Sequence, residues 1–507
     1  MNSEQPQPID ELASRVANTL DGQREEAVAK RHRKGYRTAR ENLSSLVDTD
    51  SFVEYGQLAV AAQRNRRTGD ALFKDTAADG VITGTGTINA QLFGDDAARC
   101  GVIINDYSVL AGTQGYFHHH KIDRLLDIAE QQQLPVVMYT EGGGGRPGDT
   151  DVQVSMAGLN YPTFHRWAAL TGKVSRIAVN NGYCFAGNAA LFGAADIRIA
   201  TRSSWIGMAG PAMIEGGGLG QFAPTDIGPL PVHEKNGVVD IVADNEPHAT
   251  LIAQRLISYA QGRIAHTQHA EQSALRDALP RNRRMAYDVR KIVTTLFDTD
   301  SVTETRPQQG RAVMTAFARI DGRPVAVLAS DCRHLAGAID NEAAEKCSDF
   351  LAVANRWQLP IVSLVDTPGF MVGPDSEAEG APRAMGQLFN SAALVRTPWV
   401  TIFLRRGYGL GAMALAGGSF MRPTIAASWP QGEFGGMGLE GAVKLGFRQE
   451  LDAAAEGPER EALFKELLAA MYEKGRATEA ASYLELDAVI DPADTRRVIL
   501  SGLMPRR

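Results

Sequence analysis

The chain contains 507 residues, of which 44% are hydrophobic and 22% are charged, a composition typical of globular proteins with enough apolar material for more than one core. Its net charge of −7 argues against nucleic acid as a partner, because nucleic-acid binding depends on clustered Lys and Arg side chains. The first residues lack a signal peptide and no apolar segment is long enough to cross a bilayer, so we expect a soluble, cytoplasmic protein that does not act at a membrane.

The first predicted element is a helix over roughly residues 8–45, which we expect to pack across the domain that follows it. Its basic run, Arg31 to Lys34, is interpreted as a solvated helix face. Two later stretches, residues 81–139 and 312–365, each contain a β-rich run, an amphipathic helix and an apolar strand that begins at Leu-Pro and ends in a glycine turn. Apolar strands that alternate with helices indicate a layered α/β fold with crossover connections.

The chain is similar to itself in five segments that occur in the same order in both halves. One such pair could arise by chance, but five collinear pairs indicate an internal duplication of one fold. We therefore predict two tandem domains, residues 1–275 and 276–507, joined by a polar, helical linker around residues 262–290. The paired segments are 46–56 with 296–306, 84–92 with 314–325, 102–115 with 327–340, 125–145 with 350–370, and 182–208 with 407–433.

Glycine is abundant, with 51 residues, and it clusters at corresponding places in the two halves. In both clusters a strand leads through a tight turn into a helix: RIAVNNGYCFAGNAALFG in the first half and VTIFLRRGYGLGAMALAGG in the second. Backbone N–H groups at such a helix start have no acceptor within the helix and can stabilise a developing negative charge. The glycines could instead serve only to let a helix pack closely on a strand. Because the cluster is duplicated, we favour two anion sites and a reaction that stabilises two oxyanions.

Three other features are weaker indications. The stretch EGGGGRPGDTD (141–151) lacks the pattern of a Walker A motif or a dinucleotide fingerprint, although its Arg146 could meet a phosphate or carboxylate, or have a structural role. Consecutive residues on a helix point in different directions, so His118, His119 and His120 predict a helix face near a ligand tail and no metal site. The four cysteines form no CxxC pair, which argues against a zinc ribbon and a disulfide framework.

Three segments outside the glycine clusters carry a family resemblance. GYRTARENLSSLVDTDSFVEYG (35–56) resembles a Gly-Lys-Leu-Thr-Ala-Arg-Glu opening, LPIVSLVDTPGFMVG (359–373) a Pro-Gly-Phe segment, and SWPQGEFGGMGLEGAVKLGF (428–447) a Trp-Pro…Met-Gly…Gly-Ala segment. With them the sequence, from about residue 31 to residue 500, resembles the carboxyltransferase β-subunits of biotin-dependent acyl-CoA carboxylases and the related decarboxylase α-subunits. These proteins belong to the crotonase superfamily.

The resemblance implies two crotonase-like domains and an enzyme that moves CO₂ from carboxybiotin to the α-carbon of an acyl-CoA thioester. The N-terminal domain would hold acyl-CoA, and the C-terminal domain of a second subunit would face it with biotin. The active site would then lie between two chains of a homo-oligomer, a hexamer built from dimers. Carboxybiotin would release CO₂, its ring nitrogen would remove the α-proton, and the enolate would capture the CO₂, so that no side-chain base is required.

The resemblance also implies roles for individual residues. Backbone N–H groups of Ala186 and Gly187 would form the oxyanion hole for the enolate at the thioester carbonyl. Those of Leu410 and Gly411 would hold the ureido oxygen of biotin. The other implied contacts are Gly144, Gly145, Arg146, Gly210 and Asn188 for acyl-CoA, and Tyr408, Met413, Pro368, Gly369 and Phe370 for the biotin and acyl pocket.

The chain departs from the family pattern at three places. Ala186-Gly187 stands where Gly-Gly is usual, and the larger, polar Asn188 follows it. The stretch TEGGGGRPGDTD (140–151) replaces the usual Ser-Gly-Gly-Ala-Arg. Met413 stands where propionyl-type members have an aspartate that shapes the acyl pocket, so the protein either accepts a longer or branched acyl group or uses this flexible, apolar side chain only for packing.

No ATP-grasp region and no Met-Lys-Met biotinyl site is found in the sequence, so biotin is expected on a separate carrier, with a biotin carboxylase as a further partner. Three alternatives stay open. The protein could be a decarboxylase α-subunit that runs the same half-reaction in reverse. It could be a biotin-free crotonase-type hydratase or hydrolase, with Asp151, Glu215 or Glu433 as the base. It could also be a non-catalytic scaffold that keeps the fold without turnover.

Overall fold

The computed structural model describes residues 7–151 and 159–503 and divides into two compact units, with the boundary between Gly262 and Arg263. The sequence-based boundary fell later, after residue 275. Residues 263–288, all of which the structure describes, contain one short 3₁₀ turn and no α-helix, so the prediction of a helical linker is wrong. Leu275 and Tyr287 are buried in the core of the second unit, and this burial holds the segment against that unit.

The predicted helix over residues 8–45 is three helices instead of one: α1 (Pro8–Ala17), α2 (Glu25–Arg33) and α3 (Ala39–Leu46). A capping box starts α3: the Thr38 hydroxyl accepts the Glu41 N–H (3.0 Å), and the Glu41 carboxylate accepts the Thr38 N–H (2.8 Å). Side chains that satisfy the first N–H groups in this way mark a helix start, so one continuous helix is not formed.

The first unit is built on a seven-stranded sheet whose strands lie in chain order. The first three strands pair antiparallel, and the third to the seventh pair parallel, with crossover helices between them. The strands are β1 (Val53–Tyr55), β2 (Val81–Thr87), β3 (Arg99–Asn105), β4 (Val136–Tyr139), β5 (Arg176–Phe185), β6 (Ile197–Gly207) and β7 (Ile241–Ala243). The helices after α3 are α4 (Gly69–Asp75), α5 (Ala90–Phe93), α6 (Asp95–Ala98), α7 (Tyr116–Gln132), α8 (Thr163–Ala169), α9 (Gly187–Gly193), α10 (Pro211–Gly216), α11 (Leu230–His233) and α12 (Glu246–Gln261).

The second unit repeats this plan in an eight-stranded sheet, in which two strands replace the long β6. Its strands are β8 (Thr303–Thr305), β9 (Val313–Ile320), β10 (Arg323–Ser330), β11 (Ile361–Thr367), β12 (Trp399–Tyr408), β13 (Ile425–Ser428), β14 (Glu433–Gly435) and β15 (Ala488–Val489). Its helices are α13 (Val289–Leu296), α14 (Asn341–Arg356), α15 (Pro374–Ala378), α16 (Ala381–Leu394), α17 (Gly409–Leu415), α18 (Leu439–Gly446), α19 (Arg448–Ala453), α20 (Pro458–Lys474), α21 (Ala477–Ser482) and α22 (Thr495–Gly502). Among the described residues, no helix is both long and apolar enough to span a bilayer.

The predicted duplication and the α/β class are confirmed in detail. Arg40 binds Glu54 in the first unit, and Arg290 binds Glu304 at the corresponding place in the second. The turns before β1 and β8 both place an aspartate at positive φ, 58° at Asp50 and 57° at Asp300. Two copies that share ion pairs and unusual backbone angles are copies of one fold.

The register of the sheets corrects the fifth pair of repeated segments. In the first unit Val136 lies opposite Arg176, and in the second unit Ile361 lies opposite Trp399. Arg176 therefore corresponds to Trp399, and the alignment of 182–208 with 407–433 is displaced by two residues. Both segments are rich in glycine, so the sequence alone allowed this slip.

A buried lysine occupies the same place in the long helix of each unit. The Lys121 ammonium group in α7 donates to the carbonyl oxygens of Ala78 (2.8 Å) and Val81, and that of Lys346 in α14 donates to the carbonyl oxygen of Gln309 (3.0 Å). Burial lowers the pKa of each lysine to about 8. These lysines tie a helix to the loop that leads into a neighbouring strand.

The lowered pKa of Lys346 predicts how stability depends on pH. The folded protein releases this proton near pH 8, but the unfolded chain releases it only near pH 10.5, so the unfolded chain binds more protons between these values. The contribution of Lys346 to the free energy of unfolding should therefore rise with pH across that window, by roughly 3 kcal/mol at most. Lys346→Met should lack this rise. Urea unfolding of both proteins from about pH 7 to about pH 10.5 measures the difference, and parallel pH profiles would contradict it.

Candidate active site

The first glycine cluster lies where β5 ends and α9 begins. Ala186 connects them with φ 52° and ψ −119°, an unusual conformation for a residue with a side chain. Its N–H donates to the carbonyl oxygen of Gly207 on β6 (2.9 Å), so this N–H is committed to the sheet. Gly187 and Asn188 are the first two residues of α9, and their N–H groups have no acceptor within the helix. Of the predicted donor pair, Gly187 is the member that can serve a ligand.

The glycine loop after β4 lies against this helix start. The fully buried Asn188 side chain accepts a hydrogen bond from the Gly144 N–H (3.1 Å), so it holds the loop in place. Gly144 has φ 89°, and a side chain there would come within 2.7 Å of the Ala186 methyl group. Gly145 has open space where a side chain would be. The structure thus brings together four of the predicted site residues, Gly144, Ala186, Gly187 and Asn188, with Gly145 beside them.

Gly210 lies on the other side of the same turn. A side chain on Gly210 would contact the ring of Phe185, the last residue of β5, at 3.4 Å. This is an ordinary van der Waals distance, so Gly210 lies beside the end of β5 but is not forced to be glycine by crowding.

Arg146 has a structural role in the described structure. Its side chain is only 5% exposed and forms an ion pair with Asp79 (2.5 Å), which is fully buried, and a second with Asp149 (3.3 Å). Its guanidinium also donates to the carbonyl oxygen of Thr113 (2.8 Å). Burial raises the pKa of Asp79, although the arginine opposes that rise. A guanidinium that two carboxylates neutralise is poorly placed to bind a phosphate as well.

The sequence analysis did not identify Gln114 and Phe164, which both lie against Gly187. A methyl group on Gly187 would lie 2.2 Å from Oε1 of Gln114 and 3.1 Å from Cζ of Phe164. The only sequence signal for Gln114 was its place in the third pair of repeated segments, where it aligns with Ile339. Phe164 gave no such signal, because it reaches the site from a helix outside the repeats.

The three consecutive histidines point to three different partners. Nδ1 of His118 lies 3.1 Å from the carbonyl oxygen of Asp79, and Nδ1 of His120 lies 2.9 Å from that of Tyr116. His119 stacks on Tyr161, with 4.3 Å between ring centroids, and meets the ring of Phe164 edge to face. Burial lowers the pKa of His119 to about 4, so its ring is neutral near pH 7. The result is an aromatic wall of His119, Tyr161 and Phe164 beside the helix start.

A carboxylate lies near the end of the central strand of each unit and is held by arginine: Glu141 just after β4 and Asp366 within β11. In the first unit Arg31 binds both oxygens of Glu141 (2.9 and 2.7 Å), so Arg31 is buried and the prediction of a solvated basic face is wrong for this residue. Burial raises the pKa of Glu141 to about 7, although Arg31 opposes the rise. In the second unit Asp366 is buried, and the positive charges of Arg406 and Arg405 hold its pKa below the usual value despite that burial.

The second glycine cluster forms the matching helix start at α17. Gly409 has φ 59° and takes the place of Ala186 once the sheets are aligned. Leu410 and Gly411 then correspond to Gly187 and Asn188, and Leu410 is 60% exposed. A side chain on Gly411 would lie 2.6 Å from the carbonyl carbon of Gly369. Gly411 therefore packs directly on the Pro368-Gly369-Phe370 segment.

The remaining predicted pocket residues line two different cavities. Tyr408 and Pro368 line a cavity of about 270 Å³, where the Tyr408 hydroxyl donates to Glu433 (3.0 Å). Met413 lines a cavity of about 580 Å³ together with the apolar side chains of Phe420, Met421, Phe434, Tyr483 and Leu484.

The three carboxylates considered as bases all have local partners. Asp151 accepts the backbone N–H groups of Arg64 (2.6 Å) and Asn65 (3.0 Å). Glu215 accepts from the side chain of Gln221, and Glu433 accepts from Tyr408. These contacts give each carboxylate a role in holding a loop or a neighbouring side chain.

These features define a class. Two copies of one crotonase-like α/β unit each end their fifth strand at a positive-φ residue, and a helix follows whose first N–H groups have no acceptor within it. Backbone N–H groups at such positions can bind an acceptor from outside the helix.

The comparisons with known proteins give the family. Residues 30–504 match the carboxyl transferase domain, so the chain belongs to that family and is a biotin-dependent acyl-CoA carboxyltransferase. It is 29% identical to the 12S subunit of methylmalonyl-CoA carboxyltransferase from Propionibacterium freudenreichii subsp. shermanii, over 98% of this chain and 93% of that protein. Residues 263–503 contribute the second half of the same match.

Two solved structures share the fold. A single-chain, multi-domain long-chain acyl-CoA carboxylase is 50% identical with a TM-score of 0.93, and the match covers 98% of this chain and 49% of that one. This chain therefore spans about half the length of that carboxylase. A transcarboxylase 12S hexamer with methylmalonyl-CoA and methylmalonic acid bound is 27% identical with a TM-score of 0.85, over 100% of this chain and 98% of that one.

The buried ion pair of Arg146 predicts a defined pair of variants. Arg146→Met should destabilise the protein by about 3–5 kcal/mol, because it leaves the buried Asp79 carboxylate without its partner. Adding Asp79→Asn should recover most of that loss, and thermal unfolding measures both effects. In the stable double variant, CoA affinity by calorimetry should stay within about threefold of wild type. A tenfold or larger loss of CoA affinity in the folded double variant would show that Arg146 contacts CoA after all.

Proposed function

We propose that the two helix starts are the two halves of the carboxyl-transfer site. In the first unit the N–H groups of Gly187 and Asn188 bind the thioester oxygen of acyl-CoA. In the second unit those of Leu410 and Gly411 bind the ureido oxygen of biotin. One observation carries this proposal: Ala186 and Gly409 both have positive φ at corresponding places, and in both units the next two N–H groups lie in the first turn of a helix, where they have no acceptor within it.

The assignment of acyl-CoA to the first unit rests on its surroundings. Aromatic side chains of His119, Tyr161 and Phe164 line one side of the Gly187 helix start. The glycine loop at Gly144 and Gly145 lies on another side and has room for close backbone approach. An apolar wall beside backbone donors suits a thioester, which has an apolar acyl chain and one oxygen that becomes negative.

The assignment of biotin to the second unit rests on the character of its donors. The ureido oxygen is an acceptor that gains negative charge as CO₂ leaves, so backbone N–H groups can hold and stabilise it. Leu410 is well exposed and so lies at the surface of its unit, and Gly411 packs against Gly369. Carboxybiotin supplies both the CO₂ and the base when it is bound. The protein then has to orient the two substrates and stabilise the enolate oxygen.

We also propose that the acyl chain is longer than propionyl. The 50% identical relative is a long-chain acyl-CoA carboxylase. Met413 stands where propionyl-type members have aspartate, and its cavity of about 580 Å³ is lined largely by apolar side chains. An apolar cavity of this size favours hydrocarbon over a short acyl group.

The proposed partners follow from the extent of the match. The single-chain carboxylase has about as much chain again beyond the matched part, and we propose that a biotin carboxylase and a biotin carrier act together with the part of the protein described here. A hexamer like that of the 12S relative would bring first and second units of different chains together. We place this assembly in the cytoplasm, where the four buried free thiols would stay reduced.

A panel assay tests activity, direction and chain length together. The purified protein is incubated with a carboxylated biotin carrier and acyl-CoA esters from acetyl to long-chain and branched, and products are followed by mass. We expect carboxylated product, with kcat/KM rising from propionyl to long-chain esters. A maximum at propionyl would overturn the chain-length proposal only. Faster decarboxylation of malonyl-type esters than carboxylation would favour the decarboxylase alternative, and CoA binding without product would favour a scaffold.

Two glycine variants test the division of the site. Gly187→Ala would push a methyl group against Gln114 and Phe164, so we expect KM for acyl-CoA to rise about tenfold or more. Gly411→Ala would press on Gly369, so we expect the same rise in KM for the carboxylated carrier.

The matched controls are Gly193→Ala in α9 and Gly386→Ala in α16, where an added methyl group meets nothing within 4 Å. Both controls should keep wild-type KM values. If Gly187→Ala changed the KM for the carrier and left that for acyl-CoA unchanged, the assignment of substrates to the two units would be reversed.

A further inference from the structure

The side chain of Gln114 ends beside the first residue of α9. Its backbone is fixed on both sides, since its N–H donates to the carbonyl oxygen of Gly144 (2.7 Å) and its carbonyl oxygen accepts the Arg146 N–H (2.8 Å). From this fixed position the side chain reaches Gly187, where its Oε1 lies 2.2 Å from the place of a glycine methyl group. The amide therefore lies directly against the residue whose N–H begins the helix.

The amide nitrogen of Gln114 has no hydrogen-bond partner among the described residues. The residue is 4% exposed, so water does not supply a partner freely either. A buried donor without an acceptor is unfavourable, because on folding it loses its hydrogen bonds to water without replacing them. Keeping such a donor at a candidate active site indicates that it has a role in function, such as binding a ligand.

The second unit shows that the fold does not require an amide at this position. Ile339 occupies the corresponding place and is fully buried. It makes the same two backbone hydrogen bonds, from its N–H to the Gly369 carbonyl oxygen (3.0 Å) and from the Met371 N–H to its own carbonyl oxygen (2.8 Å). Since isoleucine serves the fold in one copy, the glutamine in the other copy needs a different explanation.

We propose that Nε2 of Gln114 donates a hydrogen bond to the thioester oxygen of the bound acyl-CoA, as a third donor beside the backbone N–H groups of α9. This inference rests on the proposed function of the first unit. The thioester oxygen takes up negative charge as the enolate forms, so a third donor at this oxygen would stabilise the enolate more than the ground-state thioester.

Two variants separate hydrogen-bond donation from packing. Gln114→Ile copies the second unit and removes the amide, and Gln114→Glu keeps the shape but replaces the N–H donor with a carboxylate oxygen. Donation to an oxyanion predicts that kcat falls about 100-fold in Gln114→Ile, while the Kd for acyl-CoA changes by less than about threefold. Gln114→Glu should be slower still, because its negative charge opposes the enolate. Thermal unfolding should show that Gln114→Ile is at least as stable as wild type, since it removes a buried unpaired donor.

An infrared measurement tests the contact without turnover. A hydrogen bond to the thioester carbonyl lowers its stretching frequency, so acyl-CoA labelled with ¹³C at that carbon should show a smaller downward shift on binding to Gln114→Ile than on binding to wild type. An unchanged shift, or a kcat within about threefold of wild type in both variants, would overturn the role of Gln114 while leaving the proposed function intact. Higher activity in Gln114→Glu than in Gln114→Ile would assign Gln114 to packing and overturn it as well. Absence of carboxylation by the wild-type protein with every acyl-CoA would instead overturn the proposed function, and this inference with it.

Discussion

The arrangement of the site depends on one backbone constraint at the end of the fifth strand. The parallel pairing of β5 with β6 continues as far as Phe185 opposite Gly207, and the N–H of Ala186 makes the last bond of that ladder. At Ala186 the chain then turns through positive φ into a helix. The N–H groups of the next residues therefore no longer bond to the sheet, and because they begin the helix they have no acceptor within it either. Such a conformation costs about 1–3 kcal/mol for a residue with a side chain and persists only where the surrounding structure enforces it. In the second unit Gly409 makes the same turn without that steric penalty.

The two copies share this constraint and differ in the side chains around it. Near the end of the central strand, burial raises the pKa of Glu141 in the first unit despite its ion pair with Arg31, whereas in the second unit two arginines outweigh burial and lower the pKa of Asp366. Gln114 in one copy is replaced by Ile339 in the other. The duplication therefore preserved the backbone that presents N–H donors and changed the side chains that decide what each site binds.

Much of the fold followed from periodic patterns in the sequence. Apolar strands after Leu-Pro, amphipathic helices and collinear repeats predicted two α/β copies, because these patterns reflect burial within a few consecutive residues. The errors occurred where a local signal was overridden or ambiguous. The Thr38 capping box ended what was predicted as one helix, and burial of Leu275 and Tyr287 drew the predicted linker onto the second unit. The repeated glycines allowed an alignment that was displaced by two residues.

The sequence by itself determined where the two helix starts lie and some of the glycine-rich segments beside them. Only the tertiary structure decided which of their groups are available. The N–H of Ala186 is taken by Gly207 on the neighbouring strand, the charge of Arg146 is neutralised by Asp79, 67 residues earlier, and the amide of Gln114 reaches Gly187 from a different loop. Local patterns specify helices and strands because their hydrogen bonds and buried faces involve nearby residues. The groups that accept from a donor or neutralise a charge lie far away in the chain, and only the fold brings them together.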